Sequence, residues 1–214
     1  MKTGFRLTYL LLALAFPFLA AAQSNAISAQ NDTADEVLLR FLTKIDEQTL
    51  SANFTLTVTE DANQPLSYTG KMLMRGEMFR LSMLGNEGAY DGKTYYLYSE
   101  ETDELTLSVP TRPELLEMNP VLFARQLQRL STVRFNTANK DNKRYVIELV
   151  PNNQETGIQN FTIKLHKGSL LPEEVTVKEG KGTTVVRFSE ALYDSRIPSF
   201  VIAPKPGTFI NDLR

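Results

Sequence analysis

The side chains that most enzymes work with are scarce in this chain. There is one histidine, His166, and no cysteine in 214 residues. Thiol nucleophiles, cysteine-held metals and disulfide frameworks are thereby excluded. A Ser-His-Asp relay or a histidine-ligated metal would have His166 alone to work with, and it follows Leu165 at what reads as a strand end. No loop cradles phosphate: Gly85-Asn-Glu-Gly88 is too short and no Lys-Ser/Thr pair follows it. Carboxylates remain. Glu100, Glu101, Asp103 and Glu104 cluster at a hairpin; they read as a solvated turn, with a docking patch for a basic partner as the sharper alternative. A carboxylate pair for glycoside chemistry needs no motif, so a secreted hydrolase stays open as a minor reading. The main expectation is a protein that binds without catalysing and needs no metal or cofactor.

What the chain offers instead is soft apolar surface. Every methionine after the initiator lies between Met72 and Met118. Methionine is unbranched and polarisable, and it moulds itself to irregular apolar partners. Met72 and Met74 share one face of a strand, and Phe79, Leu81 and Met83 repeat the period of two with Arg80 and Ser82 between them. Arg75 ends the first of these strands beside the methionines. Its guanidinium needs acceptors close by.

These side chains must be held by a sheet and by helices that cover it. Thr33-Ala-Asp-Glu36 is a capping-box sequence. Val37, Leu38, Phe41, Leu42 and Ile45 then form the single apolar stripe of a helix. Asn53 to Thr59 alternates Phe54, Leu56 and Val58 with threonines, and Leu105, Leu107 and Val109 alternate in the same way. Turns are expected at 61–65, at Asp91-Gly92, at 139–142, at 151–153, at Lys167-Gly168 and at 180–182. In the middle, Thr111 to Glu114 can cap a helical turn. Asn119-Pro120 then supplies an N-cap and a first-turn proline to a second amphipathic helix with Val121, Leu122, Phe123, Leu127 and Leu130. Strands resume over 132–136, 144–150, 158–166, 174–177 and 183–188, with a last extended piece at Phe200 to Ala203. About ten strands with short connections predict a mostly antiparallel sheet large enough to curl. The fold class expected is α+β, an unclosed and strongly curved antiparallel half-barrel with helices as its lid.

Composition fits this picture. Hydrophobic residues make up 42% and charged residues 22%, so the chain is globular, and a net charge of -2 argues against nucleic acid. Lys2 and Arg6, an apolar run from Leu7 to Leu19 and Ala20-Ala21-Ala22 make a secretory signal cleaved after Ala22. At about 13 residues the run is short for the roughly 20 that span a bilayer. The expected division is signal peptide 1–22 and one mature domain, 23–214.

Several blocks together resemble the periplasmic lipoprotein carrier family, the LolA-like proteins. They are the first helix running into Ser51-Ala-Asn-Phe-Thr55, Gly70 through Arg75 to Phe79, Asp91-Gly-Lys-Thr-Tyr-Tyr-Leu-Tyr98, Asn119 to Arg125, and Phe200-Val-Ile-Ala-Pro-Lys-Pro-Gly207 with Asn211-Asp212 beyond. The resemblance implies a hydrophobic cavity between sheet and lid. From the sheet its lining would be Met72, Met74, Phe79, Leu81, Met83, Tyr96 and Tyr98. From the second long helix it would be Leu122, Phe123 and Leu127. Arg75 matches the family's arginine that ties sheet to lid. Gly76 stands where the family has proline, and Leu81 and Tyr96 stand where it has tryptophan. The implied role is a monomeric periplasmic shuttle. It would take acylated lipoproteins from an inner-membrane ABC exporter and hand them to an outer-membrane acceptor. The alternative is a lipid- or lipoprotein-sensing module on the same half-barrel.

Overall fold

A computed structural model describes residues 32–60, 64–137, 142–153 and 157–214. The expected signal cleavage, the turn at 61–63 and most of the one at 139–142 lie outside the described residues. The chain opens with helix α1, Ala34–Glu47. Its capping box forms: Glu36 N–H donates to Thr33 Oγ1 at 3.2 Å and Thr33 N–H to the Glu36 carboxylate at 2.8 Å. Two orphan donors of the first turn are so satisfied. Val37, Leu38, Phe41, Leu42 and Ile45 are all buried, as their spacing requires.

Six strands follow as a meander: β1 Thr49–Thr59, β2 Leu66–Arg75, β3 Met78–Met83, β4 Asn86–Tyr90, β5 Tyr95–Ser99 and β6 Glu104–Ser108. Helices α2, Arg112–Met118, and α3, Pro120–Leu130, then cross to a second meander. It consists of β7 Ser131–Phe135, β8 Arg144–Pro151, β9 Ile158–His166, β10 Pro172–Glu179 and β11 Gly182–Asp194, and β12 Phe209–Asp212 follows. The two halves join because β11 pairs antiparallel with β1. The result is one twelve-stranded sheet, β12-β6-β5-β4-β3-β2-β1-β11-β10-β9-β8-β7, with β7 and β12 at its two edges. Every pairing is antiparallel except β12 with β6.

The sheet curls, and the helices show why. Helix α1 lies against β1 and β2 and also against β7, six strand spacings from β2. Flat, that separation would be about 29 Å. Curling round α1 and α3 buries one face in a single apolar cluster that includes Leu38, Leu42, Leu50, Met74, Phe79, Leu127, Ile147 and Ile163. The opposite, outer face carries a smaller cluster: Ala89, Tyr96, Leu105 and Leu107, with Tyr98 against them and Ile202 from the C-terminal segment.

Three details differ from the sequence reading. Strand β11 runs to Asp194, beyond the expected end at Phe188, by way of an irregularity opposite Ser51 to Asn53 where Glu190 takes φ +53°. The piece at Phe200–Ala203 is not a strand; Phe200 and Ile202 are buried side chains of an irregular crossing segment. Strand β12 lies further on, at Phe209–Asp212.

Candidate functional site

The helix-covered face is the candidate site, and burial along each strand grades from one end of it to the other. On β1, Leu50 and Ala52 are buried under the helices, while Phe54, Leu56 and Val58 on the same face remain half-exposed. On β2, Met74 and Met72 are buried, Tyr68 is half-exposed and Leu66 is exposed. Cross-strand neighbours continue the pattern: Leu56 pairs with Val186, Val186 with Val175 and Val175 with Ile163. Phe54 pairs with Phe188. Val175, Val177, Val186 and Phe188 are likewise only half-buried. An aliphatic and aromatic trough thus leads from the closed core out to solvent.

The floor of the trough is tight at one point. A Cβ on Gly70 would stand 2.4 Å from Phe54 Cζ and 2.5 Å from the Ser82 carbonyl oxygen. The ring of Phe54 therefore lies over a glycine, opposite Met83 on the next strand. Further in, Phe79 contacts Tyr90 and Tyr95 at ring separations of 6.3 and 6.2 Å. Burial pushes the Tyr95 phenol up, so it stays neutral.

The expected lining residues divide between two faces. Met72, Met74, Phe79, Leu122 and Leu127 meet in the covered cluster, with Leu81 and Phe123 packed against it. Phe123 stands edge-on to Phe161 at 6.1 Å. Met83 shares their face, half-buried at the outer end of β3. Tyr96 and Tyr98 do not join them. Both point to the outer face, under the C-terminal segment. Tyr96 donates to Asp91 at 2.9 Å, and Tyr98 donates to Asp103 at 3.1 Å beneath Lys205. Consecutive aromatics at 95 and 96 face opposite ways, and Tyr95 is the one directed inward.

Arg75 corrects another expectation. Its guanidinium donates to the carbonyl of Ser195, just past β11, at 3.1 Å. It reaches the start of the C-terminal segment and no helix of the lid. The lid is fastened elsewhere. Arg125 of α3 donates to both oxygens of Asp46 at 2.7 Å and to the Leu42 carbonyl at 3.3 Å, binding α3 to the last turns of α1. Gln128 donates to Asp35 at the other end of α1, at 2.9 Å. Asn119 is 1% exposed and does two jobs. Its Oδ1 accepts from the N–H groups of Val121 and Leu122, and its Nδ2 donates to the Glu77 carbonyl in the β2–β3 turn at 2.7 Å. The sequence marks Asn119 as a cap; its second bond, like the Arg125 tie, depends on tertiary placement that no local pattern carries.

Residues 46–197 match the family of the outer membrane lipoprotein carrier protein LolA. The chain belongs to that LolA family. No curated protein matches it. Among solved structures it is similar to an uncharacterized conserved protein from Thermus thermophilus, with TM-score 0.51 and 11% identity over 82% of this chain and 96% of that one. It is also similar to a structure of the Pseudomonas aeruginosa MucA/MucB complex, with TM-score 0.48 and 15% identity over 78% of this chain and 58% of that one. For a LolA superfamily protein from Nitrosomonas europaea the TM-score is 0.37, with 10% identity over 75% and 93%. The LolA fold, an unclosed sheet with three helices over one face, is the one seen here. Among the described residues no helix is long and apolar enough to cross a membrane, and no group of three acidic or histidine side chains is placed to hold a metal.

Proposed function

We propose that this LolA-family protein is a periplasmic carrier that hides the acyl chains of lipoproteins while they cross between the inner and outer membranes. One observation carries the reading: the covered face keeps an apolar trough, from Phe54 and Leu56 across Val186 to Val175, half-open to solvent with the lid shut. A folded protein gains by burying such side chains against one another, so leaving a row of them wet is a cost that a guest removes.

The energetics suit an acyl guest. Each buried CH₂ is worth about 0.8 kcal/mol, so a palmitoyl-length chain in water costs on the order of 10 kcal/mol. Beneath the helices the face is filled by the chain's own side chains, Met72, Met74, Phe79, Leu122 and Leu127 among them. Larger cargo requires α1 and α3 to lift from Met72, Met74 and Phe79, and only a ligand that favours the lifted state can drive that shift. Of the polar ties that oppose it, the partly exposed Arg125–Asp46 pair is worth about 1 kcal/mol, and the buried Asn119 bond to the Glu77 carbonyl costs about 1–3 kcal/mol to leave unmade. The chain has no phosphate-binding loop, so loading draws its energy from the donor, an inner-membrane ABC exporter in this reading, and release goes to an outer-membrane acceptor. The protein works as a monomer and performs no covalent chemistry.

The test is displacement of a fluorescent apolar probe by an acylated peptide and by the same peptide deacylated, followed by transfer of the captured peptide to acceptor vesicles. The carrier reading expects displacement by the acylated form alone and then transfer. Equal displacement by both peptides overturns it. Stable capture without transfer points to the sensing module.

A further inference from the structure

Among the described residues, Ser131 Oγ is the buried side-chain polar atom that has no hydrogen-bond partner. A buried hydroxyl left unpaired costs about 1–3 kcal/mol, and such an atom calls for a physical explanation. Its position gives one. Ser131 follows α3 directly and opens β7, where Ser131, Val133 and Phe135 alternate with the exposed Thr132 and Arg134. Val133 and Phe135 pack into the covered cluster, so Ser131 is on the inner face. Its cross-strand neighbour is Pro151, which has no N–H to offer. The adjacent Thr132 is turned outward and bonds Asn152 at 3.0 Å.

The inner-face row next to Ser131 is Val133, Leu149, Phe161, Val177 and Thr184, joined pair by pair across five strands. Ser131 stands one step beyond that row, about 7 Å along β7 from Val133. It marks the rim where an apolar lining gives way to polar turns such as Asn152. Leu149 and Phe161 are buried here, Phe161 against Phe123 of α3; with α3 lifted, an acyl chain lying on this row has its polar end at the level of Ser131. An ester carbonyl there leaves water as its chain is buried, and without a donor it too would pay for desolvation. One unpaired hydroxyl and one unpaired carbonyl resolve each other.

We propose that Ser131 is the polar anchor of the acyl site and donates a hydrogen bond from Oγ to the ester carbonyl of the bound chain. This rests on the acyl-binding reading and makes it specific: the ligand is an ester-linked acyl group, read at its first carbonyl.

The experiment uses the mature protein and two ligands matched in chain length and head group, an ester-linked diacyl peptide and an ether-linked dialkyl peptide. Each is titrated against a bound apolar probe, with wild type and with Ser131→Ala. Wild type should prefer the ester by about three- to ten-fold, the usual range for one hydrogen bond. Ser131→Ala should remove that preference by weakening the ester alone and leave ether binding intact, which also shows that the variant is folded. Its melting temperature should not fall, because the substitution deletes an unsatisfied group. If Ser131→Ala binds both ligands as wild type does, or weakens both alike, the anchor is wrong while acyl binding stands. If wild type binds neither ligand, the acyl-binding reading and the anchor fall together.

Discussion

Arg125 on α3 places one guanidinium nitrogen 2.7 Å from each carboxylate oxygen of Asp46, at the last turn of α1. The same nitrogen donates to the Leu42 carbonyl, one turn before Asp46 on α1. A cation at that end also complements the helix dipole. The pair joins the two helices that together cover the sheet, so it opposes any motion that separates them. Their side chains are 26% and 48% exposed, which limits the tie to about 1 kcal/mol. Arg125→Met should lower stability by about that amount and speed uptake of an apolar probe several-fold. Asp46→Asn should do likewise, and the double variant should show less than the sum. Probe uptake at the wild-type rate in both single variants would mean that lid separation is limited elsewhere.

The two faces of the sheet give the site its sharpest contrast. Leu56 and Val186 are paired on the inner face and half-exposed, whereas Tyr98 belongs to the outer cluster. Leu56→Glu puts a charge into the trough while keeping access to water, so the stability cost should stay near 1–2 kcal/mol. Acyl-peptide affinity should fall more than ten-fold. Tyr98→Phe removes the bond to Asp103 and should leave affinity unchanged. Probe displacement measured on the two variants decides which face carries the ligand; a loss with Tyr98→Phe and none with Leu56→Glu would reverse the assignment.

This division marks where the sequence stops being informative. The capping box at Thr33 and Glu36, the stripe on α1 and the Asn119-Pro120 start of α3 are local devices, and local devices survive into the structure. Met72, Met74 and Phe79 were legible because simple alternation puts them on one face. In Tyr95-Tyr96-Leu97-Tyr98 both faces of the strand are apolar, since a second cluster lies outside the sheet under the C-terminal segment. Alternation then says which residues go together and not which set faces the lid. The trough residues Phe54 and Leu56 stand in a clearly alternating strand, but their role depends on β11 arriving from more than a hundred residues away. Strand β12 has four residues and pairs parallel with β6, too short for any periodicity to announce it.

Arg75 now carries a different prediction from the one its resemblance implies. A lid-gating arginine, once removed, would trap lipid and slow its release. Arg75 bonded to the Ser195 carbonyl instead secures the segment that crosses the outer face and delivers Ile202 to the second cluster. Arg75→Leu should raise amide exchange over residues 195–203 and cost about 1 kcal/mol, with probe binding and release at wild-type rates. Slowed release with unchanged exchange in that segment would return Arg75 to the lid.

Gly70 is fixed by close approach. Its missing side chain makes room for the Phe54 ring on one side, and the Ser82 carbonyl lies 2.5 Å from where a Cβ would be. The ring can swing away, but a carbonyl held in the β2–β3 ladder moves only with its strand. Gly70→Ala should therefore destabilise by about 1–3 kcal/mol, the usual cost of overpacking, read as a lower urea midpoint with unchanged slope. A midpoint equal to wild type would show that β3 yields freely at this position.

Asp91 should make the Asp91-Gly-Lys-Thr94 turn sensitive to acid. Partial burial pushes its carboxyl up, but the N–H groups of Thr94 and Lys93 and the Tyr96 hydroxyl donate to it at 2.8–2.9 Å and hold it below its ordinary value of 3.8. A carboxyl depressed in the folded state adds stability above its unfolded pKa and loses it as pH falls through the folded one. Wild type should thus exceed Asp91→Asn in stability by about 1 kcal/mol at pH 7, since the amide still accepts from the turn but carries no charge. The gap should begin to narrow as pH falls through about 3.8, where the unfolded chain takes up its proton, and close below the lower folded-state value, where the wild-type carboxyl is neutral as well. Urea unfolding of both proteins at pH 7 and at pH 2.5 reads this directly. A gap that stays constant across that range would show that the charge on Asp91 contributes nothing and that the turn is held by its backbone alone.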